Sequence, residues 1–590
     1  MRKLFAISVL LLIPGAVMAA DGPNEQARAL FNADWQWRMQ QQPEYATSLG
    51  DYRFDNTLSD TSPAAVRTAL ARQRKVLEQA RQLERDRLTA PNQLSLDLFV
   101  YDKEQLLRGA AFYPYDPHPL TSHQGLHIAL PQLVAMMPFA TEADYRNYLA
   151  RLDAVPLHVA GLIEQMREAM RSGWTAPKVS MQEVPGMLRQ LRSSALGGQL
   201  GQPFRQIPAT IDKPLRDAFA SAGPAVLAAK VVPALQLLEE FVRSEYLPAA
   251  RETIGAAALP GGQEYYAWIV ARQTGTTLGP EDIHALGLKE VERLLALAPP
   301  AIARTGYRGS FAAFAAFANT DQRLFYRSPE LLLARYRRIL LRAGQAMPLL
   351  FDTAPVPELL VKPATALPGV PLGAAWYEGA AGERPAAFVV NTARLNEHPL
   401  WGLETLALHE AVPGHHLQMA RARAIAGMPA FRLHAWYPGF GEGWATYAET
   451  LGPELGFYTE PLSAFGHLNA QLFRAARLVV DTGLHARGWS RQQAIDYLSA
   501  NTANALSDNA LDVDRTIAMP GQGLGYQLGA LRIRSLREKA QAVLGERFDI
   551  RKFHAVMLSN GALPLSVLEQ QVDQWLAGAT RQSVAIPLVK

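Results

Sequence analysis

Three of the thirteen histidines fall within eight residues, in His409-Glu410-Ala411-Val412-Pro413-Gly414-His415-His416. Zinc takes imidazole and carboxylate ligands where thiolates are absent, and a catalytic zinc keeps one position open for water. In a His-Glu-x-x-His helix, ligands at i and i+4 share a face while the Glu between them acts as base. Here Pro413 stands at i+4 from His409, and the next histidines stand at i+6 and i+7. On an undistorted helix i+6 points about 120° away, and i+7 lies ~10 Å further along the axis. Neither ring would share an ion with His409. Pro413, however, has no N–H for the His409 carbonyl, so the helix must open there. Gly414 accepts whatever backbone angles the return demands. A two-residue bulge is therefore expected to bring His415 to the second ligand position, with His416 as a supporting neighbour; such bulges recur at functional sites.

A third ligand is needed, and Gly441-Glu442-Gly443-Trp444-Ala445-Thr446-Tyr447-Ala448-Glu449 begins 26 residues after His415. Glu442 and Glu449 are seven apart, so they lie on one helix face two turns from each other. Spacing alone leaves both open. The flanking glycines of Glu442 allow close approach to a neighbouring helix.

The elements that must hold these residues are helical. Leu400 to Leu408, leading into His409, is apolar with helical periodicity, as are Ala64–Arg87, Glu142–Arg171, Pro224–Ala249, Glu281–Ala298 and Pro329–Ala346. Ala387-Phe388-Val389-Val390 is the strand candidate, ending at Asn391. The fold class is mainly α. The irregular stretch Pro355–Gly373 is expected to separate an N-terminal helical region, 20–360, from a C-terminal region, 361–590, that carries the metal site, the two forming one integrated catalytic domain.

Composition narrows the chemistry further. The 590 residues are 49% hydrophobic and 19% charged, which provides a large core and excludes bulk disorder. A net charge of +4 with scattered basic residues leaves no footprint for nucleic acid. Zero cysteines exclude disulfides, thiolate zinc sites, iron–sulfur clusters and a cysteine nucleophile. Gly521-Gln522-Gly523-Leu524-Gly525 has no preceding strand, so it is not a dinucleotide site. No Gly-x-Ser-x-Gly elbow supports a serine hydrolase. Met1-Arg2-Lys3, the apolar run Leu4 to Ile13 and Val17-Met18-Ala19 form a signal peptide over 1–19. The apolar run falls short of the ~20 residues that span a bilayer, and no later stretch is expected to reach that length. The mature protein is expected in the periplasm or medium, without membrane insertion.

With HEAVPGHHLQ followed by GEGWATYAE, the chain resembles the bacterial family known only as domain of unknown function 885, whose members carry a distorted zinc-peptidase motif. Ala46-Thr47-Ser48-Leu49-Gly50, Asp60, Arg384-Pro385, Pro520-Gly521-Gln522 with Tyr526, and Pro564-Leu565, Leu568-Glu569 and Trp575 extend the likeness over nearly the whole mature chain. The resemblance implies a large helical fold similar to the thermolysin-like gluzincins, with a small β element beside the active-site helix. It also implies one Zn2+ held by His409, His415 and Glu442. GEGWATYAE is similar to the NEGFAxYxE segment of the aminopeptidase branch, where the first Glu binds zinc, which favours Glu442 over Glu449.

The mechanism implied is hydrolysis by metal-activated water with Glu410 as general base. Tyr526 is the candidate donor to the tetrahedral intermediate. The strand ending at Asn391 is a candidate for pairing with an extended substrate, Gln522 lies in the same turn as Tyr526, and Arg515, Arg532 or Arg534 could clamp a terminal carboxylate. The reading is an exported zinc-dependent hydrolase acting on a short peptide or amide. The alternatives are an amidase for a small non-peptide molecule and an inactive peptide-binding or chaperone-like protein.

Overall fold

Proline and hydroxyl residues start the helices where their chemistry predicts. Ser328 accepts the Leu331 N–H at 3.3 Å and Pro329 takes the first turn, where its missing N–H costs nothing, so the helix runs Pro329–Ala346. The computed structural model describes residues 22–352, 356–365 and 373–584, so the signal peptide at 1–19 lies outside the described residues. The fold is mainly α.

Several expected helices differ in extent. The first stops at Arg81 rather than Arg87. Glu142–Arg171 forms as two, Glu142–Asp153 and Val155–Ser172, with Pro156 opening the second. Pro224–Ala249 is part of a longer run, Lys213–Ala249, that passes through its prolines. Wide turns at Leu227–Val231 and Val242–Tyr246 stand just before Pro233 and Pro248, where a proline removes a helical bond and crowds the carbonyl four residues back. That run corrects one expectation: by length and composition it could cross a membrane. Its Leu227, Val231, Leu235, Leu238 and Val242 are instead packed into the N-terminal apolar core.

A three-stranded sheet is the β element: β1 (Leu360–Pro363), β2 (Ala375–Glu378) and β3 (Ala387–Val390), in the order β1-β3-β2. β3 pairs parallel with β1 and antiparallel with β2, Val390 opposite Ala375. All four β3 residues are buried, which is why the strand reads as an unbroken apolar run. Phe388 meets Tyr336 of the Pro329–Ala346 helix at 4.8 Å between ring centroids.

Around the site, one apolar cluster joins Leu98 and Tyr336 to Phe388, Leu408, Trp444, Ile533 and Phe553. The helices that build the site are α1 (Leu403–Glu410), α2 (His415–Arg423), α3 (Pro438–Thr450), α4 (Pro461–His485), α5 (Leu506–Ala518) and α6 (Leu524–Leu544).

Candidate metal centre

α1 ends at Glu410, and Ala411–Gly414 turn the chain before α2 begins at His415. The expected bulge in a continuous helix is thus a break between two helices. Pro413, after a cis peptide bond, donates nothing, and the His416 N–H reaches back five residues to the Ala411 carbonyl at 3.0 Å. The fold-back is tight enough that a Cβ on Gly414 would stand 1.8 Å from the His409 carbonyl oxygen and 2.5 Å from that of Leu408. The Trp444 indole N–H staples the turn to α3 through the Pro413 carbonyl at 2.9 Å. Gly414→Ala should cost about 3 kcal/mol through overpacking against backbone that cannot move aside. A thermal unfolding curve matching wild type would show that the turn has slack the structure does not.

The break delivers the result that the bulge was expected to deliver. His409 and His415 stand with ring centroids 4.9 Å apart and planes at 86°. Glu442, on the first part of α3, places Oε2 at 3.5 Å from Nε2 of each ring. One ligand atom from each of the three residues lies within 4.8 Å of the others. Glu442 Oε2 is buried with no hydrogen-bond partner. Seven residues on, Glu449 Oε1 lies 2.7 Å from the other ring nitrogen of His409, Nδ1, and orients that ring. Burial alone would lower the His409 pKa, but the neighbouring Glu442, Glu449 and Glu410 carboxylates outweigh it and raise it to about 9. Burial opposes ionisation of Glu442 as well, yet the two imidazoles hold its carboxyl well below the usual range.

Glycines set the depth of α3. A Cβ on Gly443 would come within 2.5 Å of Gly529 Cα, so α3 and α6 touch backbone to backbone. This close approach brings Tyr526, in the first turn of α6, over His409, its ring parallel within 13° at 6.0 Å. Gln522 donates to the Tyr526 hydroxyl at 3.3 Å. The turn before it is anchored by Asp481, which accepts the Gly521 N–H at 2.9 Å and the Tyr266 hydroxyl at 2.6 Å. Burial pushes the Asp481 carboxyl up to about 7.

Glu410 is the last residue of α1, next to His409, and its Oε2 accepts the Tyr377 backbone N–H of β2 at 3.0 Å. His416 points elsewhere. Its Nε2 meets the Pro357 carbonyl at 2.8 Å and its Nδ1 the Tyr377 hydroxyl at 3.3 Å, tying α2 to the sheet beside Glu410. Among the described residues, His415 and not His416 is in the three-residue cluster.

Asn391 departs from its expected part. β3 is the central strand, so both its edges are taken, and Asn391 is buried with its N–H on the Ala374 carbonyl and its own carbonyl on His398 Nε2. The strand that turns its outer edge to Glu410 is β2. Arg532 is paired with Glu569 on the surface. Arg515 is half-buried on α5, one turn beyond Asp512, and its carbonyl accepts the Met519 N–H at 2.9 Å. The arginines at Tyr526 are Arg474 and Arg477 of α4, their guanidinium carbons 4.4 and 5.2 Å from its ring centroid. Trp436, 46% exposed, stands 5.7 Å from the His415 ring. None of these three, nor Tyr377, was picked out by motif: arginines in a 25-residue helix carry no spacing signal, and Tyr377 acts through backbone.

Fold and cluster together define a mainly helical protein in which two histidines and a glutamate converge between α1, α2 and α3, with a small sheet bearing on the adjoining carboxylate. A family model matches residues 43–572, and the chain belongs to that family, the bacterial proteins of unknown function DUF885. It is similar over 94% of its length to a candidate lipoprotein from Colwellia psychrerythraea, all of which is covered, at 29% identity and a TM-score of 0.89. A candidate lipoprotein of unknown function from Shewanella oneidensis shares the fold at 16% identity and a TM-score of 0.71, with 93% of this chain and 99% of that one covered. No curated protein matches the chain.

Proposed function

We propose that this chain is an exported zinc-dependent hydrolase of peptide or amide bonds. The observation that carries the reading is the convergence of His409, His415 and Glu442 within 4.8 Å, with Glu410 next to His409 in sequence and outside the cluster. The donor set fits zinc. Two imidazoles and one carboxylate leave a fourth position open, Glu442 Oε2 is a buried acceptor without a donor, and the carboxylate on His409 Nδ1 is the usual outer partner of a metal-binding histidine. Zinc bound there supplies Lewis acidity and makes water acidic enough to lose a proton near neutral pH.

The protein's own groups account for the remaining steps. Glu410, held at Oε2 by the Tyr377 N–H, offers its other oxygen to take a proton from water and return it to the leaving amine. The Tyr526 hydroxyl, kept in place by Gln522, can donate to the substrate oxygen on which negative charge grows. β2, an edge strand beside Glu410, is the place for an extended substrate to add as a further strand. Export is supported by the leader-like residues 1–19 and by the description of the Colwellia and Shewanella proteins as candidate lipoproteins.

The test is the metal content of mature protein purified without added metal or chelator, followed by a peptide-library digest. About one zinc per chain, with cleaved peptides, is expected for a site of this donor set. Protein that stays metal-free when zinc is offered would end the hydrolase reading and leave a binding protein in its place.

A further inference from the structure

Arg474 and Arg477 stand one turn apart on α4 and both lie against the Tyr526 ring, but the protein treats them differently. Arg477 is answered by Asp512, which takes Nε at 3.1 Å and Nη2 as well. The Arg474 side chain is only 14% exposed, and none of its guanidinium donors forms a hydrogen bond with a described residue. Its nearest carboxylate oxygen, Glu449 Oε1, is 3.6 Å from Nη2 and already holds His409 Nδ1. Arg474 Nε is fully enclosed with no acceptor. A guanidinium presents five N–H donors in a rigid fork, and buried polar groups are rarely left unpaired. Here the unfilled donors sit next to the ring that stacks on His409.

We infer that Arg474 receives a carboxylate of the substrate, so that the hydrolase selects peptides or amides bearing a free carboxylate close to the scissile bond. This rests on the hydrolase reading above. A planar carboxylate can meet Nη1 and Nη2 at the open end of the fork with two parallel hydrogen bonds, and a partly dehydrated site strengthens both. Arg477 offers less, because Asp512 takes its Nε and Nη2 and leaves only the buried Nη1 without an acceptor. The carboxylate can come from a C-terminus or from an acidic side chain.

Three probes separate those sources: N-acetyl-tetra-alanine with a free C-terminus, the same peptide as its amide, and an amide in which the last alanine is glutamate. Binding is measured by calorimetry to metal-loaded Glu410→Gln protein, which should not turn them over, and to the same protein carrying Arg474→Met. The free acid should bind on the order of 30- to 100-fold more tightly than the plain amide, the worth of a hydrogen-bonded ion pair, and Arg474→Met should abolish the difference. Tight binding of the glutamate amide alone would assign the carboxylate to a side chain. Arg474→Lys, which keeps the charge and lacks the fork, should recover part of the preference and serves as the folding control. A preference that survives Arg474→Met, or a variant that weakens all three peptides equally, would overturn the inference. Zinc and cleavage without any carboxylate preference would remove this inference alone; absence of zinc would remove the hydrolase reading with it.

Discussion

Glu410→Gln protein is expected to keep its metal and its fold and to lose nearly all turnover. The side chain is outside the His409–His415–Glu442 cluster, so the exchange takes away no ligand. Glutamine has the same shape, and its amide oxygen can still accept the Tyr377 N–H that now goes to Glu410 Oε2 at 3.0 Å. What it cannot do is take a proton from water at neutral pH. Loss of a positioned general base should lower kcat by about 10^3- to 10^4-fold, the upper part of the range for such groups. Thermal unfolding should move little, because a conserved hydrogen bond and unchanged volume leave no cavity and no orphaned donor. The check is kcat on a peptide that the wild type cleaves, alongside zinc content and a melting curve for both proteins. Activity above a tenth of wild type would place the proton acceptor elsewhere.

The legible part of this molecule is what side-chain type and period encode. The Pro329–Ala346 helix and the Ala387–Val390 strand were readable to the residue, one from its helical periodicity and the other from its β-branched and aromatic residues. Boundaries slipped where prolines decided: Pro156 parts one expected helix, while another runs through Pro224 and meets Pro233 and Pro248 just after wider turns. At the site, His409, Glu410 and His415 announced themselves by crowding, and Pro413-Gly414 told that the helix must open. How it opens was not readable. Whether a helix bulges or breaks depends on what waits beyond the turn, here Trp444 on the Pro413 carbonyl, and that contact is 31 residues away in sequence. Asn391 was assigned an edge because pairing order is tertiary information; no residue of β3 says that β1 and β2 lie on its two sides. Arg474 was invisible for a related reason. Its significance is the missing acceptor, which is a property of its neighbours.

Glu442→Ala is expected to abolish stoichiometric zinc binding, and Glu449→Gln only to weaken it. Sequence spacing leaves the two carboxylates equivalent, seven residues apart on one helix face, and their surroundings separate them. Glu442 Oε2 is 3.5 Å from both imidazoles and has no hydrogen bond, so its charge is available to an ion between them. Glu449 meets the far nitrogen of His409 at 2.7 Å and shares its charge with Arg474 at 3.6 Å, which places it behind the ring. Removing a partner of that kind costs about 10- to 100-fold in metal affinity. Removing a ligand from a three-ligand site should cost far more, because two imidazoles must then hold the ion without a compensating charge. Competition with a chromophoric chelator reads both affinities on one scale. Equal losses in the two variants, or a larger one at Glu449, would mean that the ion sits on the Nδ1 side of His409, and the centre would then have to be rebuilt around Glu449.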